Sequence, residues 1–157
     1  MEHAAFLRLN PSGALEEVFR CPINPESLVR ERVRNPASGR FDERLRLELL
    51  LHELELAPHS DSDGDVTATY ARLAALEESL AAPGLLVLRW GRREIPVRID
   101  RLAISEDRFD PGLMPVQATV TVEGVVPDES DLANDPGGRA FLEAYRALRK
   151  EATSTRP

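Results

Sequence analysis

The chain has 157 residues and a formal net charge of -7 at pH 7. A length of this order predicts one domain with one ordinary core, since roughly two-thirds of the unfolded surface can be buried. The acidic charge, with no basic patch set against it, argues against a nucleic-acid partner or an anionic membrane. No stretch approaches the roughly 20 apolar residues that span a bilayer, so we expect a cytoplasmic protein without membrane insertion.

The N-terminal segment predicts a β-hairpin followed by an abrupt break. Residues 4–9 and 14–19 are apolar-rich runs joined by Asn-Pro-Ser-Gly, which is typical of a turn. Pro22 and Pro25 then stop strand pairing, because proline has no amide hydrogen to donate. The break predicts a candidate contact loop, formed by Ile23, Asn24 and Pro25.

Cys21 is the only cysteine, which excludes an intrachain disulfide and any cluster of cysteines on a metal. A reactive thiolate needs a helix N-terminus or a basic neighbour. Arg20 precedes Cys21 on an extended strand and so points to the opposite face. We therefore interpret Cys21 as a small buried residue.

Residues 27–33 can form a further extended segment, and residues 35–39 have the composition of an exposed loop. We take Asn35, at the start of this loop, and Arg40, just after it, as candidate contact residues.

Residues 43–56 combine good helix formers with a leucine pattern that favours a strand. On a helix the leucines would surround most of the circumference, whereas on a strand four of them share one face: Leu45, Leu47, Leu49 and Leu51. Arg44, Arg46, Glu48 and His52 then take the other face. The later shift of the apolar phase to Leu54 and Leu56 predicts a bulge or bend near residues 50–53.

The acidic run Asp-Ser-Asp-Gly-Asp at residues 61–65 fails as a calcium loop, because the positions that need glycine and a bidentate acid hold Val66 and Arg72. We expect Asp63 or Asp65 to cap the next helix. That helix is predicted over residues 66–81 and ends at Pro83-Gly84. Its apolar stripe consists of Val66, Tyr70, Leu73, Leu76 and Leu80.

The following segment predicts three antiparallel strands. Residues 85–90 form a dense apolar strand, residues 91–93 a tight turn, and residues 94–104 the return strand, with a bulge near Asp100 and Arg101 where the apolar face switches. After a turn at Asp-Pro-Gly, apolar and polar residues alternate regularly from Val116 to Val122.

Residues 127–138 are polar and turn-forming, and a helix is predicted over residues 139–151 with Phe141, Tyr145 and Leu148 on one side. The order of elements predicts an α+β, β-rich fold: an antiparallel β-sandwich or partly closed barrel with one central helix and a short C-terminal helix.

The parts of a catalytic site do not come together in this sequence. His3, His52 and His59 have no serine or cysteine nucleophile placed beside them, and His52, His59 and Asp61 lack the spacing of metal ligands. A phosphate-binding glycine loop is also missing. We therefore predict a protein that is not an enzyme and has no cofactor or metal.

Trp90, Arg92 and Arg93 lie at a predicted strand end and turn. Trp90 fits a core or interface anchor better than a ligand platform, because burying its ring removes much apolar area from water. The two arginines fit a solvated turn, with an interface salt bridge to an acidic neighbour as the alternative.

The order of these features resembles the tube-like domain of contractile injection system baseplate proteins, a family often fused to a LysM module. The resemblance covers about residues 4–126. It rests on the strand that ends in Phe19 and Asn24-Pro25, the leucine strand 45–51, the Pro83-Gly84 break, Leu-Arg-Trp-Gly at residues 88–91 and the alternating strand 116–122. Two departures are Cys21-Pro22-Ile23 before the Asn-Pro, and a short helix instead of a LysM-like segment after residue 126.

The resemblance implies a tube-like β domain over residues 1–126, with a linker, a short helix and a frayed tail over residues 127–157. It implies a sixfold ring, a homo-hexamer that joins the spike to the inner tube and initiates tube assembly. The partners would be the spike protein, the inner tube protein and other baseplate subunits. Loops carrying Asn35, Asp61 and Asp63 would be candidate contacts between stacked rings. Two alternatives stay open: a subunit of the main inner tube, and a small monomeric protein-binding module.

Overall fold

The structure is a computed structural model that describes residues 2–53 and 66–154, with side chains to residue 151. This part of the chain forms seven strands and three helices. The elements are β1 Ala5–Leu9, β2 Leu15–Arg20, β3 Leu28–Arg34, β4 Phe41–His52, α1 Ala68–Ala81, β5 Leu86–Trp90, β6 Arg93–Phe109, β7 Pro115–Val126, α2 Glu129–Asn134 and α3 Gly138–Ser154.

All seven strands belong to one antiparallel sheet in the order β2-β1-β5-β6-β7-β4-β3. The sheet is open, with β2 and β3 at its edges. The expectation of an α+β, β-rich chain is confirmed, and so are the two hairpins that join β1 to β2 and β5 to β6.

Strand β6 divides the sheet into two halves. Its residues 93–97 pair with β5, and its residues 98–109 pair with β7. We call β2, β1, β5 and the start of β6 the first half, and the rest of β6 with β7, β4 and β3 the second half. The register shifts between Ile99 and Arg101, which confirms the predicted bulge near Asp100.

Gly124 lies opposite this bulge, where the sheet passes from one half to the other. A Cβ atom on Gly124 would lie 2.6 Å from the Arg98 carbonyl oxygen and 2.7 Å from Val97 Cγ2. Such distances are shorter than a side chain tolerates, so glycine is required for the close approach of β6 and β7.

The main core lies between the two halves and α1. Leucines of β4 and valines of β7 point inward from the second half, as their alternation predicts, and Phe6, Phe19 and Leu88 point inward from the first. Helix α1 contributes the stripe Leu73, Leu76 and Leu80.

A second cluster covers the other face of the first half. Leu7 and Val87, neighbours on β1 and β5, pack with Phe141, Leu142 and Tyr145 of α3 and Leu132 of α2. The Tyr145 hydroxyl donates to the Glu94 carbonyl at 2.9 Å. Strands β1 and β5 of the first half are therefore buried on both of their faces.

The N-terminus of α1 departs from the prediction in two ways. Tyr70, expected in the stripe, is 42% exposed, and Thr69 is fully buried in its place. The amides of Ala68 and Thr69 donate to the Glu53 carboxylate, and the Tyr70 amide donates to the Thr67 hydroxyl. The N-cap of α1 is Thr67; Asp63 and Asp65, which were expected to cap this helix, lie outside the described residues.

Of the bulge or bend predicted near residues 50–53, the bulge is wrong and the bend is confirmed by a turn at Glu53. Strand β4 pairs with β7 without a register shift from Glu43 to His52, and the Glu53 amide continues to the Val116 carbonyl. Strand β4 ends at His52, and the carboxylate of the next residue, Glu53, accepts from the Ala68 and Thr69 amides of α1; Leu54 and Leu56 lie outside the described residues. Residues 127–138 were expected to be turns, but they contain α2, which Asp128 and Asp131 start with a capping box.

Candidate functional site

The second half has one surface that no helix covers in the part of the chain that the structure describes. Paired residues on antiparallel strands share a face, so the register defines this surface strand by strand. We call it the polar face. Its members include Val29, Glu31 and Val33 of β3; Arg44, Arg46, Glu48 and Leu50 of β4; Thr119, Thr121, Glu123 and Val125 of β7; and Arg98, Arg101, Ala103 and Ser105 of β6.

The polar face forms because apolar and polar residues alternate along the strands, and successive side chains of a strand point to opposite faces. In β4, Leu45, Leu47, Leu49 and Leu51 are buried in the main core, while the residues between them are exposed. Strand β7 repeats the pattern with Ala118, Val120 and Val122 inside. The second half of the sheet is therefore buried on one side and open to solvent on the other.

Two ion pairs cross between strands on the polar face. Arg44 donates two hydrogen bonds of 2.9 Å to the carboxylate of Asp100, the residue in the β6 bulge. Arg101 lies 3.1 Å from the Glu123 carboxylate. These exposed pairs contribute little to stability, about 0 to 1 kcal/mol each. Their main effect is to neutralise the surface locally.

The titration of the Arg44–Asp100 pair fits this geometry. Hydrogen bonding to Arg44 holds the pKa of Asp100 below its ordinary value, and hydrogen bonding to Asp100 raises the pKa of Arg44. Both groups therefore stay charged, and paired, over the physiological pH range.

Hydroxyl groups extend the hydrated surface toward the β6–β7 turn. Ser105 donates to Asp107 at 2.6 Å, and Thr119 donates to the same carboxylate at 3.2 Å. The turn itself contains Leu113, which is 79% exposed and has a φ of 63°.

The candidate residues of the β2–β3 loop lie beside the start of β1. The Asn24 side chain accepts from the Ala4 amide at 2.8 Å and donates to the Glu2 carbonyl at 2.9 Å, so it pairs with the N-terminal backbone as a strand would. Ile23 and Pro25 flank it and are half-buried.

The β5–β6 turn lies at the same end of the first half, because Arg20 and Arg89 both pair with Ala5. Trp90 is half-buried against the main core, while Arg92 and Arg93 are exposed. A positive φ of 61° at Gly91 permits the two-residue turn.

Asn35 and Arg40 lie together in the β3–β4 loop, away from that group. Asn35 stabilises its own loop by accepting from the Ala37 amide at 2.9 Å. Arg40 forms an ion pair with Asp128 and donates to the Ser130 hydroxyl at 3.0 Å. Asp61 and Asp63 lie outside the described residues. The interface role of all these residues stays a prediction.

Cys21 is fully buried, and this burial raises the pKa of its thiol to about 12. Within residues 2–53 and 66–154, histidine, cysteine and carboxylate side chains do not gather in threes at metal-ligand geometry. In the same part of the chain, no helix combines the length and apolar character needed to cross a membrane.

Sequence reasoning found the alternation on β4 and β7 but did not name the polar face as a site. The missing information was which strands lie side by side. Arg44 meets Asp100, 56 residues away, only because β7 brings β4 and β6 into one sheet.

No family model fits the chain, and no curated protein matches its sequence.

Proposed function

We propose that the protein is a structural ring subunit of a contractile injection system baseplate, a phage-tail-like particle, and that it joins the spike to the inner tube and initiates tube assembly. The proposal extends the resemblance of residues 4–126 to the tube-like domain. It includes a homo-hexamer, assembly in the cytoplasm, no catalysis and no cofactor.

The observation that supports the proposal best is the polar face. A subunit that lines a wet channel needs a sheet with a hydrated surface on one side and a packed core on the other. The second half has this arrangement, with Leu49 and Val120 inside and Arg46 and Thr121 outside.

The pairing of charges on the polar face also supports a channel lining. Arg44 is neutralised by Asp100, and Arg101 by Glu123, so the surface carries no large field of one sign. A passing macromolecule is neither strongly retained nor strongly repelled by such a surface.

The test is electron microscopy of particles from a strain that lacks this gene. Spikes without inner tubes, restored by the wild-type gene, are the expected result, because an initiator ring is needed before tube subunits can polymerise. Normal tubes in the deletion strain would contradict the proposal.

Copy number separates the baseplate ring from the main inner-tube subunit. Quantitative mass spectrometry of purified particles should find about one hexamer per particle for an initiator. Many hexamers per particle would assign the chain to the tube wall. A purified chain that stays monomeric, with particles that assemble without it, would favour a small binding module.

A further inference from the structure

A cleft of about 280 Å³ lies at the border of the two halves, beside the segment that joins α2 to α3. Its lining combines three apolar side chains, Leu9, Leu85 and Phe141, with three charged ones, Arg8, Arg98 and Asp135. Small-molecule sites in proteins are usually concave surfaces of this kind, with an apolar wall and a few polar groups that fix the orientation of the ligand.

The order of the strands brings two arginines to this cleft. Arg8 of β1 and Val97 of β6 both pair with Leu86, on opposite sides of β5. Arg98 follows Val97, so the two arginines are close in the sheet although they are far apart in sequence. With Asp135 as the one acidic group, the lining has a net positive charge in a chain whose total charge is -7.

Arg8 has no carboxylate partner among the described residues. Its Nη2 donates to the Ser79 carbonyl at 2.8 Å and to the Ala82 carbonyl at 3.2 Å, at the C-terminal end of α1. Its Nε is buried and has no hydrogen-bond acceptor in the part of the chain that the structure describes. Glu16, opposite Arg8 on β2, accepts from Asn10 instead. A buried donor without an acceptor is unfavourable, and an added acceptor relieves it.

Arg98 is held weakly by the carboxylate beside it. Its Nη2 lies 3.4 Å from the Asp135 carboxylate, and its side chain is 55% exposed. The other oxygen of Asp135 accepts from the Gly137 amide at 3.2 Å. An exposed pair at this distance contributes little to stability, so another carboxylate can replace Asp135 as the partner of Arg98.

We propose that the cleft binds a small organic monocarboxylate, with the acid group between Arg8 and Arg98 and the apolar body against Leu9 and Leu85. This inference goes beyond the proposed ring and does not depend on it. The net positive charge of the lining matches a single carboxylate, whereas Asp135 would repel a dianion. The volume suits a ligand of about one ring, since a smaller apolar cavity of about 150 Å³ already admits benzene.

The bond geometry of Arg8 is compatible with this exchange of partners. Its Nε is shielded from solvent, so the guanidinium must turn toward the cleft to meet a ligand. The turn would replace the long bond to the Ala82 carbonyl with a charge-assisted one, which is the stronger kind, while the shorter bond to Ser79 anchors the side chain. A bound ligand would thus connect α1, through Arg8, with β6, through Arg98.

The test is an NMR titration of the full nitrogen-15-labelled chain with sodium benzoate at constant ionic strength. Amide signals of residues 84–86 and 135–138 should shift and saturate, with a dissociation constant on the order of 1 mM or lower. Failure to saturate at about 20 mM benzoate would overturn the proposal, because binding that weak would be no stronger than a non-specific contact.

Three other probes separate the parts of the ligand. Acetate has the carboxylate without the apolar body, benzyl alcohol has the body without the charge, and inorganic phosphate has charge alone. Each should bind at least about tenfold more weakly than benzoate. Equal binding of benzyl alcohol would overturn the role of the arginines, and equal binding of acetate or phosphate would overturn the monocarboxylate with an apolar body.

Variants of Arg98 and Asp135 test the charged wall and leave Arg8, which also holds the end of α1, unchanged. Arg98→Gln should weaken benzoate binding about tenfold. The control Arg72→Gln removes the same charge from the exposed side of α1, in its second turn, and should keep the wild-type affinity.

Asp135→Asn removes the competing carboxylate but keeps an oxygen for the Gly137 amide, so it should strengthen benzoate binding about threefold. A damaged fold would not produce this gain in affinity. A benzoate affinity that is unchanged in Arg98→Gln, or not raised in Asp135→Asn, would overturn the proposal.

Discussion

The two halves of the sheet are built from the same kind of strand but are covered differently. In the first half, the neighbours Phe6 and Leu7 point to opposite faces and both are buried, one in the main core and one beneath α3. In the second half, Leu49 is buried but the next residue, Leu50, is 40% exposed. The cover that α2 and α3 give to the outer face therefore reaches the first half only.

The sequences of the strands carry this difference. Strand β1 begins with three successive apolar residues, as strands buried on both faces do, whereas β4 alternates leucine with charge. A strand pattern thus predicts how many of its faces are covered. It does not say what covers them.

The largest expected effects come from substitutions that leave a cavity among the buried side chains of each half. Leu7→Ala and Leu49→Ala should each lower the free energy of unfolding by about 2 to 5 kcal/mol, because each leaves a cavity in a packed cluster. Leu50→Ala, on the polar face, should cost less than about 0.5 kcal/mol. Urea denaturation at matched protein concentration measures all three. If Leu7→Ala lowered the free energy of unfolding as little as Leu50→Ala does, α3 would not cover the first half.

A smaller effect is expected at the junction of the halves. Gly124→Ala should lower the free energy of unfolding by about 1 to 3 kcal/mol, since its Cβ would meet the Arg98 carbonyl. The control is Gly112→Ala in the β6–β7 turn, where the nearest atom is at 3.4 Å. Thermal unfolding of both variants checks the difference. Equal melting temperatures for the two variants would show that the close approach of β6 and β7 does not require glycine at position 124.

The smallest effect concerns Glu53, which holds the second half to α1. Burial by itself raises the pKa of Glu53, but hydrogen bonds from the Thr69 amide, the Ala68 amide and the Thr69 hydroxyl outweigh it and lower the pKa. The stabilisation is therefore complete above the ordinary glutamate pKa and is lost as pH falls through the lower folded value. Glu53→Gln should cost about 1 kcal/mol at pH 7.

The measurement for Glu53 is urea denaturation from pH 7 to pH 3. The loss of stability on acidification should be shallower in Glu53→Gln than in the wild type. Glu48→Gln, on the polar face of the same strand, should keep the wild-type pH profile. Parallel profiles for Glu53→Gln and wild type would contradict the proposed cap.

Local patterns predicted the elements well, because each depends on residues close together in sequence. The strand over residues 116–122, the turn at Gly91 and the end of α1 before Pro83 follow from alternation, backbone freedom and the missing proline amide. The capping of α1 by Glu53 could not be predicted, because Glu53 and Thr69 are 16 residues apart. Asp63 and Asp65 are nearer to the helix in sequence and were the expected caps.

The candidate site was less predictable than the fold. The polar side of β4 could be read from its alternation, but the ion pairs across the polar face depend on strand order. The cleft with Arg8 and Arg98 could not be read at all, because it requires knowing that β5 lies between β1 and β6.

Arg40 links the two halves at a point where they share no strand pairing. Its guanidinium, in the β3–β4 loop, bonds Asp128 and Ser130 of α2, and α2 leads into the helix that covers the first half. An exposed ion pair of this kind contributes only about 0 to 1 kcal/mol, so it holds the loop to α2 weakly. A competing carboxylate that bound Arg40 would therefore release the β3–β4 loop from α2 with little loss of stability.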